Sequence, residues 1–142
     1  MSAWGYGSFE NDDAADWIGT LAECDSFALV RSSLETAIES EEYLECDDGA
    51  YALAAAETVA AALGKPHPEL PEEIRDFLTR AEHPADLESL RSISLAAVQR
   101  VRGDQSELGE LMREGVTDAE EGGWELEVEE LLTRLHGRFG SA

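Results

Sequence analysis

Residues 50–63 read Ala-Tyr-Ala-Leu-Ala-Ala-Ala-Glu-Thr-Val-Ala-Ala-Ala-Leu, and Gly64, Lys65 and Pro66 follow. Alanine and leucine are the strongest helix formers, so the stretch is a helix before any packing is considered. It is apolar on nearly every side, and such a helix belongs in the middle of a fold. Tyr51, Val59 and Leu63 mark a bulky face, and the alanines let a neighbour approach closely. Gly64 supplies the stop, and Pro66 and Pro68 forbid continuation. Asp47-Asp48-Gly49, just ahead, reads as a turn or cap signal. The rest of the chain then has to wrap this helix.

The segments on either side carry the helical period. Asn11-Asp12-Asp13 opens a first helix, because any of the three can cap free N–H groups and carboxylates suit the positive helix end. Ala14, Trp17, Ile18 and Leu21 form its apolar face. A second helix follows Asp25-Ser26, with Phe27, Val30, Leu34, Ala37, Ile38 and Tyr43 as its stripe. Pro71-Glu72-Glu73 opens a fourth helix with Ile74, Phe77, Leu78 and Ala81 inward. Pro84 opens a fifth, running to about Arg102 through Leu87, Leu90, Ile93, Ala97, Val98 and Val101. A short sixth follows Ser106, with Leu108, Leu111 and Met112. Gly122-Gly123 breaks the chain, and a last helix carries Trp124, Val128, Leu131, Leu132 and Leu135 to about Gly137. No stretch alternates well enough for a strand. The expectation is all-α: one domain over 1–142, with about six or seven helices.

Ahead of the first helix, Trp4, Tyr6 and Phe9 alternate with Gly5 and Gly7. Glycine permits tight backbone, so these aromatics can fold back onto a core. Residues 1–10 are expected to form an ordered arm packed on the helices.

The chain has 142 residues and 32 acids against 10 bases, a formal charge of −22. That balance excludes a general nucleic-acid binder, since phosphates could not be neutralised. It also disfavours an anionic membrane surface. No run is long and apolar enough to span a bilayer, and no basic n-region marks a signal peptide. A cytoplasmic protein is expected. Residues 1–50 hold 13 acids and only Arg31 as a base. This acidity suits solubility, high salt, or a basic partner whose encounter it would speed. Cys24 and Cys46 are the only cysteines; their spacing makes no metal motif, and both read as reduced thiols.

Few constellations carry chemistry. Glu10-Asn11-Asp12-Asp13 with Asp16 is the densest polar cluster, but its spacing is not that of a calcium loop. Capping and solvation explain it, with a partner-binding edge or a metal as alternatives. Glu57 is the only charge inside the alanine-rich helix. The simpler reading puts it on the solvent side; burial would require a partner such as an arginine. His67, His83 and His136 stand in no relation to a nucleophile, and no serine has a nucleophile-elbow setting. No cofactor, metal or catalytic set is expected.

Trp4-Gly5-Tyr6-Gly7-Ser8-Phe9-Glu10-Asn11-Asp12-Asp13-Ala14-Ala15-Asp16-Trp17 resembles the opening signature of a bacterial domain-of-unknown-function family, number four-two-five-nine. The stretch Ala52–Ala61 is similar to that family's second shared block, and the helix from Trp124 fits more loosely. The family lends no activity. The resemblance implies that Trp4, Gly5, Gly7, Phe9, Asn11, Asp12, Asp13, Trp17 and Glu57 form one structural motif, with Glu57 reaching the arm or the start of the first helix, for example Trp4 or Tyr6.

The function expected from the residues is a non-enzymatic acidic binding protein with a basic protein partner, immunity-like or inhibitor-like by analogy of charge and fold class. Its contact residues would be Asp12, Asp16, Glu23, Glu35, Glu39 and Glu42, on two helices packed as an antiparallel pair. The alternative is an enzyme or metal-binding protein using Asn11–Asp16 with Glu57.

Overall fold

The computed structural model describes residues 12–103, 105–114 and 123–136. Seven helices run in order: α1 (Asp12–Leu21), α2 (Ala28–Glu39), α3 (Cys46–Ala62), α4 (Glu72–Arg80), α5 (Leu87–Arg102), α6 (Glu107–Glu114) and α7 (Gly123–His136). No strand occurs among the described residues; Leu44 and Ser106 form an isolated parallel bridge. The architecture is all-α and compact. The expected arm, with Trp4, Gly5, Gly7 and Phe9, lies outside the described residues, as does Asn11.

Helix α3 is the axis. It packs against α1, α2, α5, α6 and α7, and α4 covers α1. From Ala52 through Ala60 every residue is buried, Glu57 included. Alanine side chains end at Cβ, so neighbouring helices can lie close to the α3 backbone. At Gly49 a Cβ would already crowd the neighbour, standing 3.3 Å from Leu108 Cβ of α6. The far end closes as anticipated. Gly64 takes φ +93, Lys65 N–H bonds to Ala60 O, and Gly64 N–H bonds to Ala61 O. This is the paired-bond stop that a left-handed glycine permits.

The near end corrects the sequence reading. Of the two readings of Asp47-Asp48-Gly49, turn or cap signal, the structure takes the helix start: these residues lie in the opening of α3, which begins at Cys46 and not at about Ala50. The cause is distant in sequence. Glu107 Oε1 of α6 accepts the Cys46 N–H at 2.9 Å, supplying the cap that Glu45 does not. Leu44 N–H to Gln105 O (2.8 Å) and Glu107 N–H to Leu44 O (2.9 Å) hold the two connections side by side. Gln105 sits at φ +63, and the Arg100 guanidinium donates to its carbonyl and to that of Glu42.

Other boundaries shift for local reasons. α5 starts at Leu87, not at Pro84, because Asp86 Oδ1 accepts the Ser89 N–H at 3.1 Å. α2 ends at Glu39, so Tyr43 leaves the expected stripe; its hydroxyl donates to Glu110 across the link. Ile38 is exposed at the end of α2. Asp12 and Asp13 stand within the first turn of α1.

α1 and α2 do not pack as an antiparallel pair. α1 lies on α3 and α4, while α2 lies on α3 and α5. The two meet where the Trp17 indole donates to Ser33 Oγ at 2.9 Å. Both apolar stripes find more surface on the central helix than on each other, and that burial decides the arrangement.

Candidate functional site

The arginines are committed first. Arg80, at the end of α4, donates to the carbonyls of Leu21, Ala22 and Cys24 at 2.6–3.2 Å. Those groups end α1, where orphan carbonyls and the helix dipole favour a cation. Arg91 does the same for α7 through Leu135 O and His136 O, while holding Glu88. Arg102, at the other end of α5, pairs with Glu129 of α7, so α5 and α7 run antiparallel. Arg100 fastens two links, as described above. Arg134 donates to Glu57 through its two terminal nitrogens, Nη1 to Oε1 at 2.8 Å and Nη2 to Oε2 at 3.3 Å. These five arginines are tied to backbone carbonyls, to the buried Glu57 and to the exposed Glu88 and Glu129.

The acids left over converge where α1 and α3 begin. Asp12 and Asp13 open α1, with Asp16 one turn on; Asp47 and Asp48 open α3, with Glu45 before them. Partial burial pushes the Asp13 carboxyl above its usual value, and Asp47, Asp16 and Asp12 push it further. Asp48 is raised in the same way, by burial and then by Asp47 and Glu45. Burial and the neighbouring charges of Asp13, Glu107 and Asp47 push the Cys46 thiol up to about 11. The Tyr51 phenol is raised by burial and then by Asp47, Asp13, Asp16 and Asp48. Repulsion across the α1–α3 junction is thus felt by Asp13, Cys46 and Tyr51, while Asp48 is raised by acids of its own segment. Cys46 stays a thiol at neutral pH, which makes it a poor nucleophile.

One carboxylate oxygen from each of Glu45, Asp47 and Asp48 can be drawn within 4.8 Å of the others. Three oxygens so placed suit a hard cation in ligand type. Carboxylates in a first turn also suit the helix dipole with no ion at all.

The residues expected to form the partner surface scatter more than their sequence spacing suggested. Asp12 and Asp16 belong to the α1–α3 junction. Glu23 is exposed past the other end of α1, roughly 15 Å away at helical rise. Glu35 is half-buried beside Arg31, 3.6 Å away. Glu39 and Glu42 are exposed at and beyond the end of α2.

Glu57 is 1% exposed, which overturns the solvent-side reading. It stands about 15 Å along α3 from Asp47 and faces Arg134, so the structure does not join it to the acids of α1. Trp4 and Tyr6, its suggested contacts, lie outside the described residues.

Glu45, Asp47, Asp48 and Tyr51 were missed as members of the acidic site. The sequence marks Asp47-Asp48 as a turn or cap signal, and the structure puts both in the first turn of α3. Only the packing of α1 on α3 brings them to Asp13.

The family model described as "Domain of unknown function (DUF4259)" matches residues 2–124. The chain belongs to the DUF4259 family. No curated protein and no solved structure matches the chain. The matched span of this DUF4259 protein takes in the acidic starts of α1 and α3 and also Glu57, and it stops within the first turn of α7. Arg134, which neutralises Glu57, lies beyond it.

Proposed function

We propose that this DUF4259 protein is a non-enzymatic cytoplasmic binding protein whose acidic surface receives a basic protein partner, in the manner of an immunity protein or inhibitor. The observation that carries the reading is the α1–α3 junction. Carboxylates from two helices are held close enough that those of α3 and α1 together raise the proton affinity of Asp13, and Arg80, Arg100 and Arg134 are bound to carbonyls and to Glu57. A basic partner would relieve that repulsion on docking, and the surrounding field of a chain with charge −22 would speed its approach. The docking surface moves from the two-helix stripe expected earlier to Asp12, Asp13, Asp16, Asp47 and Asp48.

The test is capture of host proteins by the intact chain and by an Asp12→Lys/Asp16→Lys/Asp47→Lys variant, followed by association kinetics of the captured protein. The reading expects a basic protein held by the native chain alone, with an on-rate that falls as salt rises. Equal capture by both chains, or a salt-independent on-rate, overturns it.

The Glu45, Asp47 and Asp48 grouping favours a second reading, a divalent-cation site. Calorimetric titration with calcium, magnesium, manganese and zinc separates the two. Micromolar binding lost in Asp47→Asn and Asp48→Asn would replace docking by metal binding.

A further inference from the structure

A cleft of about 350 Å³ opens where the α1–α2 link meets the α4–α5 link. Its floor is apolar: Phe27, Pro84 and Leu90. Its rim is polar: Ser26, Arg31, Glu82 and His83. We infer that this cleft binds a small monocarboxylate with an apolar or aromatic body, the body lying on Phe27, Pro84 and Leu90 and the carboxylate meeting Arg31 and Ser26.

The walls are held in place without a ligand. The Phe27 ring packs on Phe77 at 5.1 Å between centroids and meets the edge of His83 at 5.3 Å. The Glu82 N–H bonds to Asp25 O, tying one link to the other. The His83 Nε2 sits 2.8 Å from the Leu78 carbonyl, which can only accept, so Nε2 carries the proton. A site built before binding loses little by ordering when a ligand arrives.

The polar groups also have capacity to spare. Ser26 Oγ accepts the Ala28 N–H, which leaves its own proton to donate. The Arg31 guanidinium touches Glu35 through Nη1 at 3.6 Å, a long contact between two partly exposed side chains. A carboxylate can take the rest of its planar fork. Glu82 on the rim and the overall charge of −22 weigh against a doubly charged anion such as a phosphate ester. An apolar floor, one guanidinium and one hydroxyl match a single carboxylate on an apolar body. The cleft lies at the opposite end of α1 from the acidic junction, so this inference does not rest on the docking reading.

Backbone amide NMR of the full chain, titrated with phenylacetate, hexanoate and phenylacetamide, tests it. Saturable shifts are expected at Ala28, Arg31 and Ala85 with both carboxylates, at millimolar affinity or better. Phenylacetamide and the Arg31→Gln variant should each lose about tenfold, the worth of one charge-assisted contact. Ala85→Phe, which fills the cleft from an exposed position, should abolish the shifts while leaving the circular dichroism spectrum intact. Shifts that never saturate, equal affinity for the amide, or undiminished binding by Arg31→Gln overturns the assignment.

Discussion

Glu57 of α3 and Arg134 of α7 form an ion pair between residues 77 positions apart, with the carboxylate 1% exposed and the guanidinium side chain 12% exposed. The pair pins the last helix to the axis of the fold. It is not fully satisfied, since Arg134 Nε finds no hydrogen-bond partner among the described residues. A buried pair of this kind is costly to break and less costly to replace. Arg134→Ala or Glu57→Ala should lower stability by about 3–5 kcal/mol, because one charge stays behind in the core. The double variant Glu57→Leu/Arg134→Met should recover most of that loss. Urea unfolding of the three variants measures it, and a double variant no better than the singles would show that the pair stabilises the native state on its own account.

The repulsion at the α1–α3 junction has a definite sign in pH. Asp13 and Asp48 bind protons more tightly in the native state than an ordinary aspartate, whose value is 3.8. The folded chain therefore holds more protons than the unfolded one just above that value. Stability is full below it and falls as pH rises through the raised native value. Asp13→Asn and Asp48→Asn should raise the melting temperature at neutral pH, and the gain should vanish below about pH 3.5. Added salt should shrink the gain by screening the same charges. A lowered melting temperature in both variants would show that helix-end attraction outweighs repulsion.

The Cys46 thiol reports the same junction from inside. With its ionisation pushed up to about 11, a Cys24→Ser protein should react slowly with a disulfide reagent at pH 8. The rate should climb steeply only as pH approaches that value. Asp13→Asn should speed the reaction at fixed pH, since Asp13 is the largest charge acting on the thiol. No change in that variant would mean that α1 and α3 do not begin side by side.

Arg80 serves as the C-terminal cap of α1, and its forked geometry matters. Three carbonyls converge on one guanidinium, with Asp25 3.6 Å away. Arg80→Ala should cost about 1–2 kcal/mol in thermal or urea unfolding, discounted because the side chain is partly exposed. Arg80→Lys should rescue little, because an ammonium cannot present several donors in one plane. Full rescue by lysine would reduce the contact to simple charge.

His67 carries a tautomer set by its backbone. Its Nδ1 accepts the Glu69 N–H at 2.9 Å, so the ring proton sits on Nε2, 3.3 Å from Glu127. Nitrogen-detected imidazole NMR at neutral pH should show the Nε2–H form. In Glu127→Gln the tautomer should persist, because the Glu69 amide is what selects it; the Nδ1–H form would contradict the loop geometry.

The sequence by itself determined the helices and the axis. Apolar residues at helical spacing in 14–21, 74–81 and 90–101 could be buried in only one way, and a run of alanines ending in Gly64 had to be central. Those features are local, set by periodicity, propensity and the left-handed turn that glycine allows. The tertiary structure decided the partners. Nothing local ties Glu107 to Cys46, Arg80 to the end of α1, or Arg134 to Glu57, because each contact depends on which helices share a face of α3. The same holds for the acidic site. Asp47 and Asp48 carry the same turn-like residues in a loop or in a first turn, and only packing against α1 and capping by α6 made them the latter. Charge is long-ranged and indifferent to order along the chain, so the sequence could count the acids of this protein, while only the fold could say which of them meet.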